Sequence, residues 1–300
     1  MLTNRPPLPL FLLSKLCHHW PLYRALDRIT NLKIVTALLP KECYLVTARL
    51  KNGMKIMVDP HDFDGREILL FGVIDPEIID ICKKLLSEGD IFLDIGANYG
   101  SVGLNCAAAL GKSGSVHFFE PQPDLCKRLR QCLALYPNVD AFVHEVGLMN
   151  CDGEMELQRN PSHSGASTFF DRSASTGDKT TVKVVDITTY IPPIVKEQPF
   201  AAKMDVEGSE LLLLPWLVKQ NNLRFLVFES LHIPDKENMF EIINDGGGLA
   251  IYGISRRASS IGLEPVICPT DFNLFKDVIV FHKNFIPEVE KHFDLPPYAV

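Results

Sequence analysis

The stretch IFLDIGANYG, Ile91 to Gly100, runs an apolar segment into Asp94 and then through Gly96, Asn98 and Gly100 at alternate positions. A strand that ends in an acid and a glycine-spaced turn suits a nucleotide-type ligand. Small or αL-tolerant residues let the backbone bend back, and the helix that follows offers its free N–H groups. A dinucleotide turn of the form G-x-G-x-x-G needs a bare middle glycine where the pyrophosphate lies. Here the middle position carries Asn98, which crowds a pyrophosphate but can hydrogen-bond an amino-acid head group. An anionic Asp94 likewise disfavours phosphate and suits an ammonium. S-adenosylmethionine has those properties: no phosphate, one amino acid, one sulfonium. Glu120 follows 20 residues after Gly100, at the end of SVHFFE, where a carboxylate can accept from both ribose hydroxyls.

Methyl transfer from a sulfonium leaves a neutral thioether, so the protein must position the acceptor and, where that is a hydroxyl, remove its proton. The acids for this work should end the later strands. FAAKMDVEGSE places Asp205 and Glu207 two residues apart, on the same side if the strand persists. An acid after an apolar run is costly unless paired or used, so Asp205 is assigned to the cofactor or acceptor near the methyl group. LVFESLH supplies Glu229 and His232, a carboxylate and imidazole able to act together. With Glu207 they are assigned to the acceptor. Glu207 has the alternative role of stabilising a helix entry, and His232 that of a surface loop residue. The sequence does not choose the base among them. A divalent cation joining Asp205 to Glu207 or Glu229 would find too few oxygen ligands, so no metal centre is expected.

These residues need a scaffold of alternating strands and helices. From Ile91 the chain reads strand, helix, strand, helix, strand through AFVHEVGL, the pattern of parallel strands joined by right-handed crossovers. GEMELQRN, a polar loop PSHSGASTFFDRSASTGDKT and TVKVVDITTY interrupt it as strand, long loop and strand; a loop of that length is usually functional. The alternation then resumes from FAAKMDV to the final strand DVIVFHK, giving about seven main strands. Ahead of it, Asn52-Gly53 between alternating segments predicts a β-hairpin, and Asp75 is placed to cap a helix carrying Ile78, Ile79, Cys82 and Leu85.

The chain of 300 residues, 46% hydrophobic, can bury a large core. Its net charge of -7 offers no basic stripe, so nucleic acid is not an expected partner. Eight cysteines with no C-x-x-C pair read as reduced thiols in a cytoplasmic protein. Residues 1–42 form an expected helical extension whose apolar run is far short of the roughly 20 residues of a bilayer span, and no small-residue cleavage site follows it. A stripe through Leu26, Ile29, Leu32, Ile34 and Leu38 would dock on the domain or on a second subunit as a homodimer. Contact with a membrane surface is the lesser alternative.

DIGANYG, FFEPQP and above all KMDVEGSELLLL resemble the FkbM family of S-adenosylmethionine-dependent methyltransferases, and DPHDFDGREILLFGVIDPE resembles the segment that precedes the first main strand in that family. The likeness runs from about Val58 to Lys283, with Asp75 where the family more often has Glu; the first 40 residues match nothing recognisable. The resemblance implies a class I methyltransferase (Rossmann-like) α/β fold over residues 43–300: a seven-stranded, mostly parallel sheet with helices on both faces and an antiparallel last strand. It implies that Asp94, Gly96, Asn98 and Gly100 hold the methionine part and Glu120 the ribose, with adenine near Glu145, Val146 or Gly147. The implied activity is methylation of a hydroxyl on a saccharide or another small metabolite. The alternative is a non-catalytic relative that binds the cofactor and serves as an assembly partner.

Overall fold

The computed structural model describes residues 5–21, 25–42, 44–170, 178–257 and 260–296. The hairpin is β1 (Val46–Arg49) and β2 (Lys55–Val58), paired antiparallel with Arg49 opposite Lys55. Its turn is longer than two residues: Leu50 N donates to Met54 O, and Gly53 takes φ 91°.

The main sheet contains β3 (Ile91–Ile95), β4 (Ser115–Phe119), β5 (Ala141–His144), β9 (Phe200–Met204), β10 (Leu223–Glu229), β11 (Leu249–Arg256), β12 (Ile261–Pro265) and β13 (Asp277–His282). Their spatial order is β12-β11-β13-β10-β9-β3-β4-β5. The run from β10 to β5 is parallel, and β13 inserts antiparallel between β10 and β11. This is the class I methyltransferase arrangement with one strand more than expected. The additional β12 is antiparallel to β11 at the sheet edge, with Pro265 opposite Tyr252; an edge tolerates a residue without an N–H, and glycine and proline hide the strand in sequence.

The expected strand AFVHEVGL is divided. β5 stays in the main sheet, while β6 (Gly147–Met149) joins β7 (Gly153–Gln158) and β8 (Lys179–Asp186) in a smaller sheet of order β6-β8-β7. TVKVVDITTY is not all strand either, because the Asp186 carboxylate accepts from Thr188 N and starts the short helix Ile187–Tyr190. Part of the polar loop, residues 171–177, and Cys43 lie outside the described residues.

β3 is buried along its whole length, as a central parallel strand must be. Its side chains alternate: Phe92 joins the core beneath the helices Pro76–Leu85, Ser101–Cys106 and Pro123–Leu133, while Ile91, Leu93 and Ile95 join the core beneath Glu210–Leu217 and Lys236–Asp245. Leu125 and Leu129, one helical turn apart, each contribute roughly 1.5–3 kcal/mol by their burial. Asp75 stands before the helix Pro76–Leu85 but does not cap it: the residue is left-handed, at φ 47°, and its carboxylate turns to Lys276 and Arg256.

The N-terminal segment packs on the domain. The helices Leu8–Cys17 and Leu26–Thr30 lie against the helix Phe63–Phe71, and Arg66 donates to Thr30 O (3.1 Å) and to the carbonyls of Pro60 and His61. The proposed stripe is not continuous. Leu26 is buried and Ile29 and Leu38 pack on the core, but Leu32 and Ile34 face solvent, because the helix stops at Thr30 and the phase changes. Among the described residues no helix is long and apolar enough to cross a membrane.

Candidate active site

A cavity of about 1120 Å³ lies along the carboxyl ends of β3, β4, β9 and β10. That exceeds the ~300–1,000 Å³ of a pocket for one small ligand, so it has room for a cofactor and an acceptor together.

The β3 turn forms one wall. Gly96 (φ 73°) packs so close to β9 that a Cβ there would sit 1.8 Å from the carbonyl oxygen of Asp205, a position only glycine can fill. Asp205 N in turn donates to Ile95 O (3.0 Å), which fixes the two strand ends to each other. Glu120 accepts from Asn98 N and Gln122 N, both at 2.8 Å, one on each oxygen, leaving further lone pairs toward the cavity. Burial pushes its carboxyl up to about 7.

The side chain of Asn98 does not wait for a head group. Its amide donates to Asp64 (2.9 Å) and accepts from Ser164 (3.0 Å), linking the turn to the helix Phe63–Phe71 and to the polar loop. The described part of that loop is clasped onto the same helix: Ser164 bonds both Asp62 and Asp64, Gly165 N donates to Asp64 (2.7 Å), and His163 lies 3.3 Å from Asp64.

Gly96, Asn98, Glu120 and Val146 line the cavity, as do Asp205, Glu207, Glu229 and His232. Three expected cofactor residues do not. Asp94 is fully buried behind the turn, where it accepts from Gly103 N (2.9 Å) and faces Lys203. Burial raises its carboxyl to about 6. Gly100 (φ 75°) packs under Leu129 of the helix Pro123–Leu133, where a side chain would collide. Glu145 is 38% exposed and paired with Arg130, because the chain leaves the main sheet there.

Asp205 and Glu207 do not share a strand face, since β9 ends at Met204 and Glu207 is left-handed at φ 51°. The Glu207 carbonyl accepts from Thr168 of the polar loop (2.7 Å). At the end of β10, Glu229 contacts His232 Nδ1 and lies 3.7 Å from Lys276. Burial holds the Glu229 carboxyl above its ordinary range.

Several site residues carried no assignment in the sequence. Lys203, inside the KMDVEGSE block, donates to Gly96 O (2.9 Å) and lies 3.7 Å from Asp94 and 3.5 Å from Asp205. Burial opposes its ammonium, but Asp205 and Asp94 outweigh burial and hold the pKa above its ordinary value. Its signal was a lysine two residues before an acid near a strand end. Beyond Glu229 lies an ion network. Lys276 is 3.4 Å from Asp75, and Arg256 reaches Asp277 (3.1 Å), Asp75 (3.7 Å) and Glu77. Burial works against the Asp75 carboxylate, yet Lys276 and Arg256 keep it below its usual range. Glu67, on the same helix as Asp64, completes this wall. Apart from Asp75, read as a helix cap, none of these had a local signal, because their partners are remote in sequence. Among the described residues no group of three or more His, Cys, Asp or Glu side chains converges as a metal site.

No curated protein matches the chain. Solved structures do, at low identity. FkbM methyltransferase from Methylobacillus flagellatus is 17% identical, with TM-score 0.43 over 67% of this chain and 48% of that one, so the match spans about half of its length. A precorrin-6y C5,15-methyltransferase from Geobacter metallireducens is 11% identical (TM-score 0.37; 70% and 88% covered). An S-adenosylmethionine-dependent methyltransferase from Agrobacterium tumefaciens is 10% identical (TM-score 0.42; 81% and 72% covered). The methyltransferase FkbM domain model matches residues 94–279, from the buried acid of β3 to the middle of β13. With most of its length inside that match, the chain belongs to the FkbM methyltransferase family.

Proposed function

We propose that this protein transfers a methyl group from S-adenosylmethionine to a hydroxyl oxygen of a saccharide or another small metabolite. The observation that carries the reading is one continuous cavity lined both by the Gly96–Glu120 wall and by the Glu229–His232 pair.

The residues present fit the cofactor. The turn at Gly96 and Asn98 lines the cavity where the methionine part would lie, Glu120 keeps lone pairs for ribose hydroxyls, and Val146 offers an apolar contact for adenine. When bound, S-adenosylmethionine supplies an electrophilic methyl and leaves as a neutral thioether. The work of the chain is on the acceptor. His232 Nδ1 contacts Glu229, which leaves Nε2 to take the hydroxyl proton while the carboxylate stabilises the imidazolium. Asp205, held by Lys203, lies between this pair and the cofactor wall and orients the acceptor oxygen.

The test is a titration with S-adenosylhomocysteine followed by transfer of labelled methyl to a panel of hydroxyl acceptors. Saturable binding and transfer are expected. Glu229→Gln is expected to lower turnover about 10²–10⁴-fold while S-adenosylhomocysteine still binds. Failure of the wild type to bind would end the reading. Tight binding without transfer to any hydroxyl would favour the non-catalytic alternative.

A further inference from the structure

Glu67 has no place in the methyl-transfer chemistry, yet its surroundings are unusual. It lies on the helix Phe63–Phe71, on the face that also presents Phe63 and Asp64 to the cavity, at the i, i+3 and i+4 spacing that aligns side chains. The residue is 7% exposed and lines the cavity, and its carboxyl makes no hydrogen bond or ion pair among the described residues. Its polar end therefore opens onto the cavity, where a bound group can meet it. Its charged neighbours are Asp75, Asp64, Asp27 and Lys276.

The wall beside it comes from the N-terminal segment. Asp27 and Arg28 of the helix Leu26–Thr30 line the same cavity, and Arg66, one residue before Glu67, ties that helix down through Thr30 O. Asp27 and Arg28 precede the resemblance that begins near Val58, and Arg66 and Glu67 lie in its lead-in segment, ahead of the matched residues 94–279.

We propose that Glu67, with Asp27 and Arg28, forms a subsite that reads the non-reacting hydroxyls of a neutral polyhydroxylated acceptor. This rests on the methyltransferase reading above and adds to it the residues that choose the acceptor. The chemistry favours a hydroxyl over other groups. Burial and the neighbouring acids push the Glu67 carboxyl up to about 8, so near neutral pH it holds a proton and both donates and accepts. A hydroxyl matches both roles. An ammonium can use only the acceptor, and an anion is opposed by Asp27, Asp64 and Asp75. The cations nearby do not reverse this: Lys276 and Arg256 are already paired with Asp75, Glu229, Glu77 and Asp277, and the charge of Arg28 is offset within the subsite by Asp27.

The experiment uses the full chain saturated with S-adenosylhomocysteine. Ligand-observed NMR then follows methyl α-glycosides of several hexoses, an aliphatic amine and a sugar phosphate. Saturable binding of at least one neutral glycoside is expected. Glu67→Ala should weaken it about 10-fold, and Glu67→Gln, which keeps a donor and an acceptor, should weaken it less than about 3-fold. The exposed pair Asp27→Ala/Arg28→Ala should weaken it about 3-fold or more, which gives a second reading if Glu67→Ala does not fold. S-adenosylhomocysteine affinity should be unchanged in every variant. Preference for the amine or the sugar phosphate, absence of glycoside binding, or glycoside binding indifferent to these substitutions would overturn the subsite. Loss of S-adenosylhomocysteine binding by the wild type is a separate measurement, and it would overturn the methyltransferase reading instead.

Discussion

The two halves of the cavity are built on different plans. The wall proposed for the cofactor is made of backbone: Gly96 fits because it has no side chain, and Glu120 is held by two amides, one two residues further along the chain and one on the β3 turn. The wall proposed for the acceptor is made of long side chains from distant elements, with Glu67 and Asp75 before the sheet begins and Glu229, Arg256 and Lys276 near its end. A backbone wall suits a ligand that does not change. A wall of side chains can be altered one residue at a time.

Substitutions can break or sharpen this contrast. Lys203 is the joint between the halves, and Lys203→Met would strand the buried Asp94 carboxylate and release Asp205. The expected loss is about 3–5 kcal/mol of stability, read by denaturant unfolding, together with loss of S-adenosylhomocysteine binding. A stable, binding-competent variant would mean that the halves are independent. Next, Glu120→Ala should weaken cofactor affinity by about 2–3 kcal/mol, measured calorimetrically, and unchanged affinity would remove Glu120 from the ribose.

Glu67→Gln gives a smaller effect with a definite pH signature. The folded-state value near 8 lies above the ordinary 4.5, so the wild type gains stability from this group below 4.5 and loses it as pH rises toward 8, with Asp75, Asp64, Asp27 and Lys276 facing the carboxyl. The amide has no such dependence. The melting temperature of Glu67→Gln should therefore rise relative to wild type between pH 5 and pH 8.5, and parallel curves would show that the carboxyl is not held protonated. Smallest of all, Glu145→Ala removes an exposed pair with Arg130. It should change stability by about 0–1 kcal/mol and leave cofactor binding intact; a marked loss of affinity would return Glu145 to the adenine pocket.

The backbone wall was legible in sequence because its signals are local. A strand, a glycine turn and the next strand's terminal acid lie within thirty residues, and each needs only its neighbours to be read. Even there the partners of Asp94 and Asn98 are not legible. Composition shows an acid and an amide at a turn, but not that Lys203 takes up the first and Asp64 the second. The acids ending β9 and β10 were found by the same local rule, although the early end of β9 rotated Glu207 away from the alternation. Glu67 and Lys276 carry no mark of a role in sequence, the first as one charge among several in the lead-in segment and the second in an ordinary stretch, until the fold supplies their surroundings. The single strand expected over AFVHEVGL failed for a related reason: nothing local marks the point at which a continuous apolar run changes sheets.

The insertion of β13 has a consequence for how the molecule is made. β10 and β11 do not pair with each other, and each takes one of its two neighbours from a strand that begins at Asp277. Until that strand leaves the ribosome, both present an open, apolar edge, and Arg256 lacks the Asp277 carboxylate. The order of synthesis therefore leaves the Glu229–Lys276 side of the cavity as the last part to form. A chain stopped before residue 277 would carry the whole β3 turn and still be a sticky fragment with one side of its cavity unfinished.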